Sequence, residues 1–129
     1  MKYLAVGAGG FLGACLRYGI SEWMGTVSGF PLDTLLINWS GSLFLGWFYT
    51  ATSKQWKVHP TIRIGLGTGL VGAFTTFSTF TVELWNLWKS GLWWDSFFYL
   101  ALSAIFGPCL AYLGVLLAEQ PWRREGAPS

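Results

Sequence analysis

The chain has 129 residues, 53% hydrophobic and only 11% charged, with a formal net charge of +2. Soluble domains carry about 25% charged residues, and nine Trp, ten Phe and five Tyr are too many for a soluble core of this length. The small net charge gives no sign of a nucleic-acid partner, and the clustering of charge points to a membrane: none falls between Tyr3 and Leu16, Thr34 and Ser53, Ile64 and Val82, or Ser96 and Ala118.

Each of these gaps, with its flanks, is long enough for the roughly 20 residues a spanning helix needs. The expected fold is an all-α membrane protein, one domain over residues 1–129 with four transmembrane helices. A soluble four-helix bundle would show an amphipathic stripe on each helix, and these segments lack one.

Helix 1 is predicted from about Tyr3 to Trp23. Gly9 and Gly13, four apart, make a small-residue face that lets another helix approach closely. Arg17 and Glu22 sit near its far end. Lys2, an apolar run and then Leu12-Gly13-Ala14-Cys15 have the outline of a lipoprotein signal. The run is short and glycine-rich, however, and no polar linker follows Cys15, so this helix is expected to be retained. The loop from Gly25 to Pro31 holds Gly, Ser and Pro, as a turn should.

Helix 2 is predicted to start after Asp33, read as its N-cap, and to reach about Thr52. Lys54, Lys57, His59 and Pro60 make a polar loop; His59 is read as solvated. Helix 3 begins near Thr61 and ends near Lys89. Helix 4 runs from about Asp95 to Glu119, before Pro121 and Arg123-Arg124. Cys15 and Cys109 lie inside proposed spans and are read as small buried hydrophobes without a disulfide. Trp23, Trp56, Trp88, Trp93, Trp94 and Trp122 fall near the helix ends, where indole rings favour the membrane interface. An even number of spans puts both termini on one side. That side carries Lys2, Lys54, Lys57, Arg63, Arg123 and Arg124, against Lys89 and Arg17 on the other, which predicts both termini in the cytoplasm.

The stretch Gly69–Phe80, "GLVGAFTTFSTF", mixes glycines and hydroxyls into the apolar run of helix 3. Glycines at 65, 67, 69 and 72 are read either as close packing or as an interruption ending at Thr75-Thr76. An unwound turn at mid-depth frees carbonyls, which is tolerated where they are buried in protein or line a cavity, and a bound cation satisfies them. Beyond it, at about 100° per residue, Thr76, Thr79, Glu83 and Asn86 share one stripe beside Phe80. Such a row ending in a carboxylate is read as a pathway, with a solvated Glu83 near the interface as the alternative. Asn38 in helix 2 is read two ways, as glue between helices or as a donor to a permeating anion. Trp39 beside it is read as packing. Aromatic rings carry a positive edge, so Phe77 and Phe80 could face a small bare anion.

Three motifs carry a resemblance to the fluoride channel family (Fluc, also called CrcB). Gly13-Ala14-Cys15-Leu16-Arg17-Tyr18 resembles the family's Gly-x-x-x-Arg-[Tyr/Trp]. Asp33-Thr34-Leu35-Leu36-Ile37-Asn38 resembles its Gly-Thr-Leu-x-x-Asn. The segment from Gly72 to Glu83 is similar to its Gly-Gly-x-Thr-Thr-Phe-Ser-Thr-Phe-x-x-Glu. The resemblance implies an antiparallel, dual-topology homodimer in the bacterial plasma membrane, surrounded by lipid, with two fluoride pores at the subunit interface. It implies a structural sodium ion at the dimer centre, held by main-chain carbonyls of Gly72 and Thr75 where helix 3 is broken. It assigns the fluoride path to Phe77 and Phe80, with Asn38, Ser78, Thr79 and Glu83 beside them and Arg17 in a vestibule. Helix 4, aligned on Gly107, places Pro108 and Tyr112 where the family has pore-facing hydroxyls; Tyr112 retains one, and Pro108 is a position for a kink. Ala73 replaces the family's second glycine, Asp33 replaces the glycine before Thr34, and the Lys/Arg asymmetry is strong for a subunit that inserts both ways.

The competing reading is a proton-coupled small multidrug transporter, also four short helices in antiparallel dimers. That class needs a carboxylate at the centre of helix 1, where this chain has Val6-Gly-Ala-Gly-Gly-Phe-Leu12. A non-transporting membrane subunit would not need the polar stripe. An enzyme is least expected, since no nucleophile or metal partner accompanies His59.

Overall fold

The structure is a computed structural model and describes residues 1–25, 27 and 29–120. The predicted tail features Pro121, Trp122, Arg123 and Arg124 lie outside the described residues. Among the described residues the named elements are all helices: α1 (Lys2–Met24), α2 (Leu32–Lys54), α3 (Pro60–Ile64), a π-helical segment (Gly65–Val71), α4 (Gly72–Phe74), α5 (Phe77–Lys89) and α6 (Trp93–Glu119). α1 and α6 are each long and apolar enough to cross a membrane by length and composition. α2 is as long as α1 but carries Asn38 and a series of hydroxyls and glycines, which dilute its hydropathy. The segment predicted as the third span is assembled from α3, the π-helical segment, α4 and α5.

Large apolar side chains cover the outside. Phe11, Leu16, Trp85, Phe97, Ile105 and Leu117 are all exposed. Water would not tolerate an apolar surface this continuous, whereas lipid or a second protein chain would. Both free thiols, Cys15 and Cys109, also lie on this surface, which corrects the expectation that they are buried. Their helices turn those faces away from the chain's own core.

Glycines set the helix packing. α1 lies on the π-helical segment. A Cβ on Gly9 would strike the Gly65 carbonyl, and one on Gly13 would strike that of Leu70. α2 packs most extensively on α6, where a Cβ on Gly46 would strike the Ala111 carbonyl. With no hydrophobic drive between helices in lipid, such backbone-to-backbone fit is what holds them.

Helix ends differ from the sequence reading at one point. α2 begins at Leu32 with Pro31 as its cap residue, and Asp33 lies in the first turn without a side-chain capping bond. The proline pre-sets the entry, and Asp33 then complements the positive end of the helix dipole. His59 caps α3, its Nδ1 accepting from the Thr61 N–H at 3.2 Å. Pro108 lies inside α6, which continues through it to Glu119.

Candidate ion pathway

The chain leaves helical geometry at Thr75 (φ −78°, ψ 155°) and Thr76 (φ −148°, ψ 126°). This extended pair follows the glycines instead of falling among them. The glycine run is absorbed as a π-helical segment, whose widened turn accommodates the close approach of α1.

Two sets of bonds hold the extended pair. Asn38 grips the Thr76 backbone with both ends of its amide: Nδ2 donates to the Thr76 carbonyl at 2.9 Å, and Oδ1 accepts from the Thr76 N–H at 2.8 Å. Thr76 in turn caps α5, its Oγ1 accepting from the Thr79 N–H at 3.1 Å and donating to the Thr79 hydroxyl at 3.1 Å. The Ser78 hydroxyl lies 3.3 Å from the same oxygen. Asn38 is therefore glue between helices; its second amide hydrogen takes no part in that grip, and the residue lines a cavity.

An open-sided cavity of about 420 Å³ adjoins this junction, lined among others by Asn38, Ser42, Thr75, Phe77, Phe80 and Ser103. None of its lining residues is charged. The two predicted rings meet here, with centroids 5.8 Å apart. They differ in support: Phe80 is buried against Tyr99 at 5.0 Å, whereas Phe77 is 78% exposed.

A second cavity, about 210 Å³, joins Arg17 to Thr34, Thr76 and Thr79. Thr76 lines both, so it stands between the ring pair and the arginine. Glu83 is partly buried, and both its oxygens are engaged. Its Oε1 accepts from the Thr34 hydroxyl at 2.9 Å and its Oε2 from the Tyr99 hydroxyl at 2.8 Å, which ties α5 to α2 and α6. Asn86, the last member of the predicted stripe, is exposed.

The Gly72 carbonyl has lost its helical donor, because the Thr76 N–H goes to Asn38. Thr75, being extended, turns its own carbonyl out of the helix direction. Space around Gly72 is open, with nothing within 4 Å of where a Cβ would stand. Freed carbonyls at a helix discontinuity are a known way to hold a dehydrated alkali cation, so the two carbonyls fit sodium in kind. The Thr75 hydroxyl is otherwise engaged, donating to the Val71 carbonyl at 2.9 Å.

With this geometry stands a sequence match that covers most of the chain. Residues 4–115 match the family described as CrcB-like protein, Camphor Resistance (CrcB). The chain belongs to the CrcB family. It is 42% identical over 128 residues to a protein of Geobacillus kaustophilus named fluoride-specific ion channel FluC 2, covering 98% of each chain. It is 46% identical over 115 residues to the fluoride-specific ion channel FluC of Oceanobacillus iheyensis, covering 89% of each. A Synechococcus relative of the same name is 37% identical over 121 residues, 92% of each chain.

In this CrcB-family chain, the two helix-4 positions aligned on Gly107 lie outside both cavities of the single chain. Tyr112 is 64% exposed and lines neither cavity. Pro108 likewise lines neither. α6 brings inward the hydroxyls of Ser96, Tyr99 and Ser103. Tyr99, Ser103 and Gly107 are spaced four apart in the sequence, one face of a helix. That spacing was the available signal. Thr34, which reaches Glu83, was visible only as part of a motif.

Proposed function

We propose that this membrane protein is a subunit of a fluoride-selective channel that lets fluoride leave the cell passively across the bacterial plasma membrane. The observation that carries the reading is the uncharged cavity in which the Phe77 and Phe80 rings stand beside the Asn38 amide. A small anion entering it loses water. Its replacement shell is the free amide hydrogen of Asn38 and the positive edges of the two rings. Thr76, Thr79 and Arg17 then continue the route through the second cavity. The channel names of the relatives support fluoride as the ion.

The open flank of the cavity and the apolar surface around it support assembly with a second copy. In this reading two chains insert in opposite orientations as an antiparallel homodimer, with a pore on each side of the twofold axis. Gly72 and Thr75 of each copy offer main-chain oxygens to one structural sodium ion. Sodium supplies a fixed positive charge at the centre, and the Asn38 grip on Thr76 keeps the oxygens turned out. Proton-coupled multidrug transport is not favoured: the centre of α1, from Val6 to Leu12, holds no carboxylate, and Glu83 is occupied by Thr34 and Tyr99.

The test is efflux from liposomes containing the purified chain alone, without a proton gradient. Fluoride leaves and chloride stays if the reading is right. Chloride flux as fast as fluoride flux, or an absolute need for a gradient, overturns it.

A further inference from the structure

Among the described residues, two buried side-chain polar atoms have no hydrogen-bond partner: the indole Nε1 of Trp39 and the hydroxyl of Ser103. Both residues line the same cavity, the one that holds Asn38, Phe77 and Phe80. Trp39 comes from α2 and Ser103 from α6. The Trp39 ring packs on Phe106, three residues beyond Ser103, with centroids 5.3 Å apart. It also packs on the cluster of Leu35, Phe80, Leu87 and Tyr99. The indole is thus held in place by its ring faces, while its N–H is left without an acceptor.

A buried indole N–H normally finds a partner, and leaving it unpaired is destabilising. Phenylalanine would fill the same apolar contacts without that penalty. The missing acceptor must be small, because both polar atoms are almost fully occluded, and it must tolerate an uncharged wall. The indole can only donate, and the serine hydroxyl is able to donate beside it. Two donors on one cavity wall suit a species that only accepts. Neighbouring residues on a helix project about 100° apart, so Trp39 adds a donor from a direction that Asn38 does not serve.

We propose that Trp39 is a specificity-determining residue whose indole N–H, together with the Ser103 hydroxyl, binds fluoride at a station beside Asn38. This rests on the fluoride-channel reading above. It makes the tryptophan a ligand instead of packing alone.

The experiment labels the indole nitrogens with ¹⁵N in the full-length protein in lipid nanodiscs, and first confirms fluoride efflux by the same preparation in liposomes. The Trp39 resonance is identified by its loss in Trp39→Phe, or in Trp39→Tyr if the first variant does not fold. Titrated fluoride is expected to move the Trp39 indole proton downfield and saturate, while chloride leaves it in place. Trp39→Phe is expected to slow fluoride efflux about tenfold, the equivalent of one hydrogen bond. A conducting wild-type protein whose Trp39 proton ignores fluoride overturns the inference, since the N–H is then met by water or by the second copy. Wild-type rates in a folded Trp39→Phe channel overturn it equally. Absence of wild-type fluoride efflux overturns the channel reading itself, and this station with it.

Discussion

Asn38 holds both backbone groups of Thr76, at 2.9 Å and 2.8 Å, across 38 positions of sequence. The amide replaces helical partners that Thr76 gives up by being extended. One side chain therefore decides where the third span stops being a helix. Asn38→Leu leaves the Thr76 N–H and carbonyl unpaired in an apolar setting. The expected loss is about 3 kcal/mol, from two neutral bonds and the groups they orphan. Thermal unfolding in detergent checks it. A fall of less than about 0.5 kcal/mol would mean that the α4–α5 junction does not depend on this grip.

The two rings are predicted to separate under the same substitution. Phe77→Ile removes an aromatic edge from an exposed position, so stability should change by no more than about 0.5 kcal/mol while fluoride flux falls severely. Phe80→Ile removes an edge and also a contact with Tyr99, at a cost of about 1–2 kcal/mol for the shape change in a packed site. Flux and melting temperature are measured on both, with dimer assembly checked by cross-linking. Normal flux in assembled Phe77→Ile and Phe80→Ile proteins would show that the rings only pack.

Sodium dependence is expected to survive loss of the Thr75 side-chain oxygen. That hydroxyl already donates to Val71, and the proposed ligands are main-chain oxygens. Thr75→Val should therefore lose fluoride flux on exhaustive replacement of sodium by an organic cation, as the wild type does, and regain it on return of sodium. Flux unchanged without sodium in the wild type would remove the ion from the account. Sodium dependence lost only in Thr75→Val would move the site to the hydroxyl.

Orientation is where the charge count and the family resemblance pull apart. Six Lys/Arg fall on the terminal side in the sequence, but two of the six are engaged. Lys54 pairs with Glu119, and Arg63 donates to Ser53 at 2.7 Å and lies 4.9 Å over the Tyr49 ring. We expect insertion both ways. A single cysteine is placed at Trp56, after Cys15 and Cys109 are replaced, and intact cells are treated with an impermeant thiol reagent. Labelling of about half the chains is expected, the share that equal insertion in both directions requires. Protection of nearly all of them, as the positive-inside rule alone would give, would exclude homodimeric antiparallel pairing.

Much of the fold was legible because its signals are local. Charge-free gaps mark the apolar runs around α1, α2 and α6, since hydrocarbon excludes charge wherever it occurs along the chain. The Phe77/Phe80 pair follows from a spacing of three, which a helix places on neighbouring positions whatever surrounds it. The motif from Gly72 to Glu83 pointed to the junction for the same reason: its residues are contiguous.

What the tertiary structure alone decided lies between elements. Spacing left Asn38 open between glue and donor, because nothing in α2 says that Thr76 will lie opposite. Glu83 could be read as solvated until Thr34 and Tyr99 were seen to reach both its oxygens. Asp33 looked like a cap until Pro31 took that place. Ser103 is an ordinary hydroxyl in an apolar run, and Trp39 an ordinary ring, until α2 and α6 close on each other at Gly46 and Ala111 and leave both polar atoms buried without a partner, in two residues that line one cavity. Hydropathy and helical period are properties of consecutive residues, so the sequence determines the spans and their stripes. A hydrogen bond depends on ångström-scale distance between residues far apart in the chain, and in a membrane that distance is set by which small residues let two backbones touch.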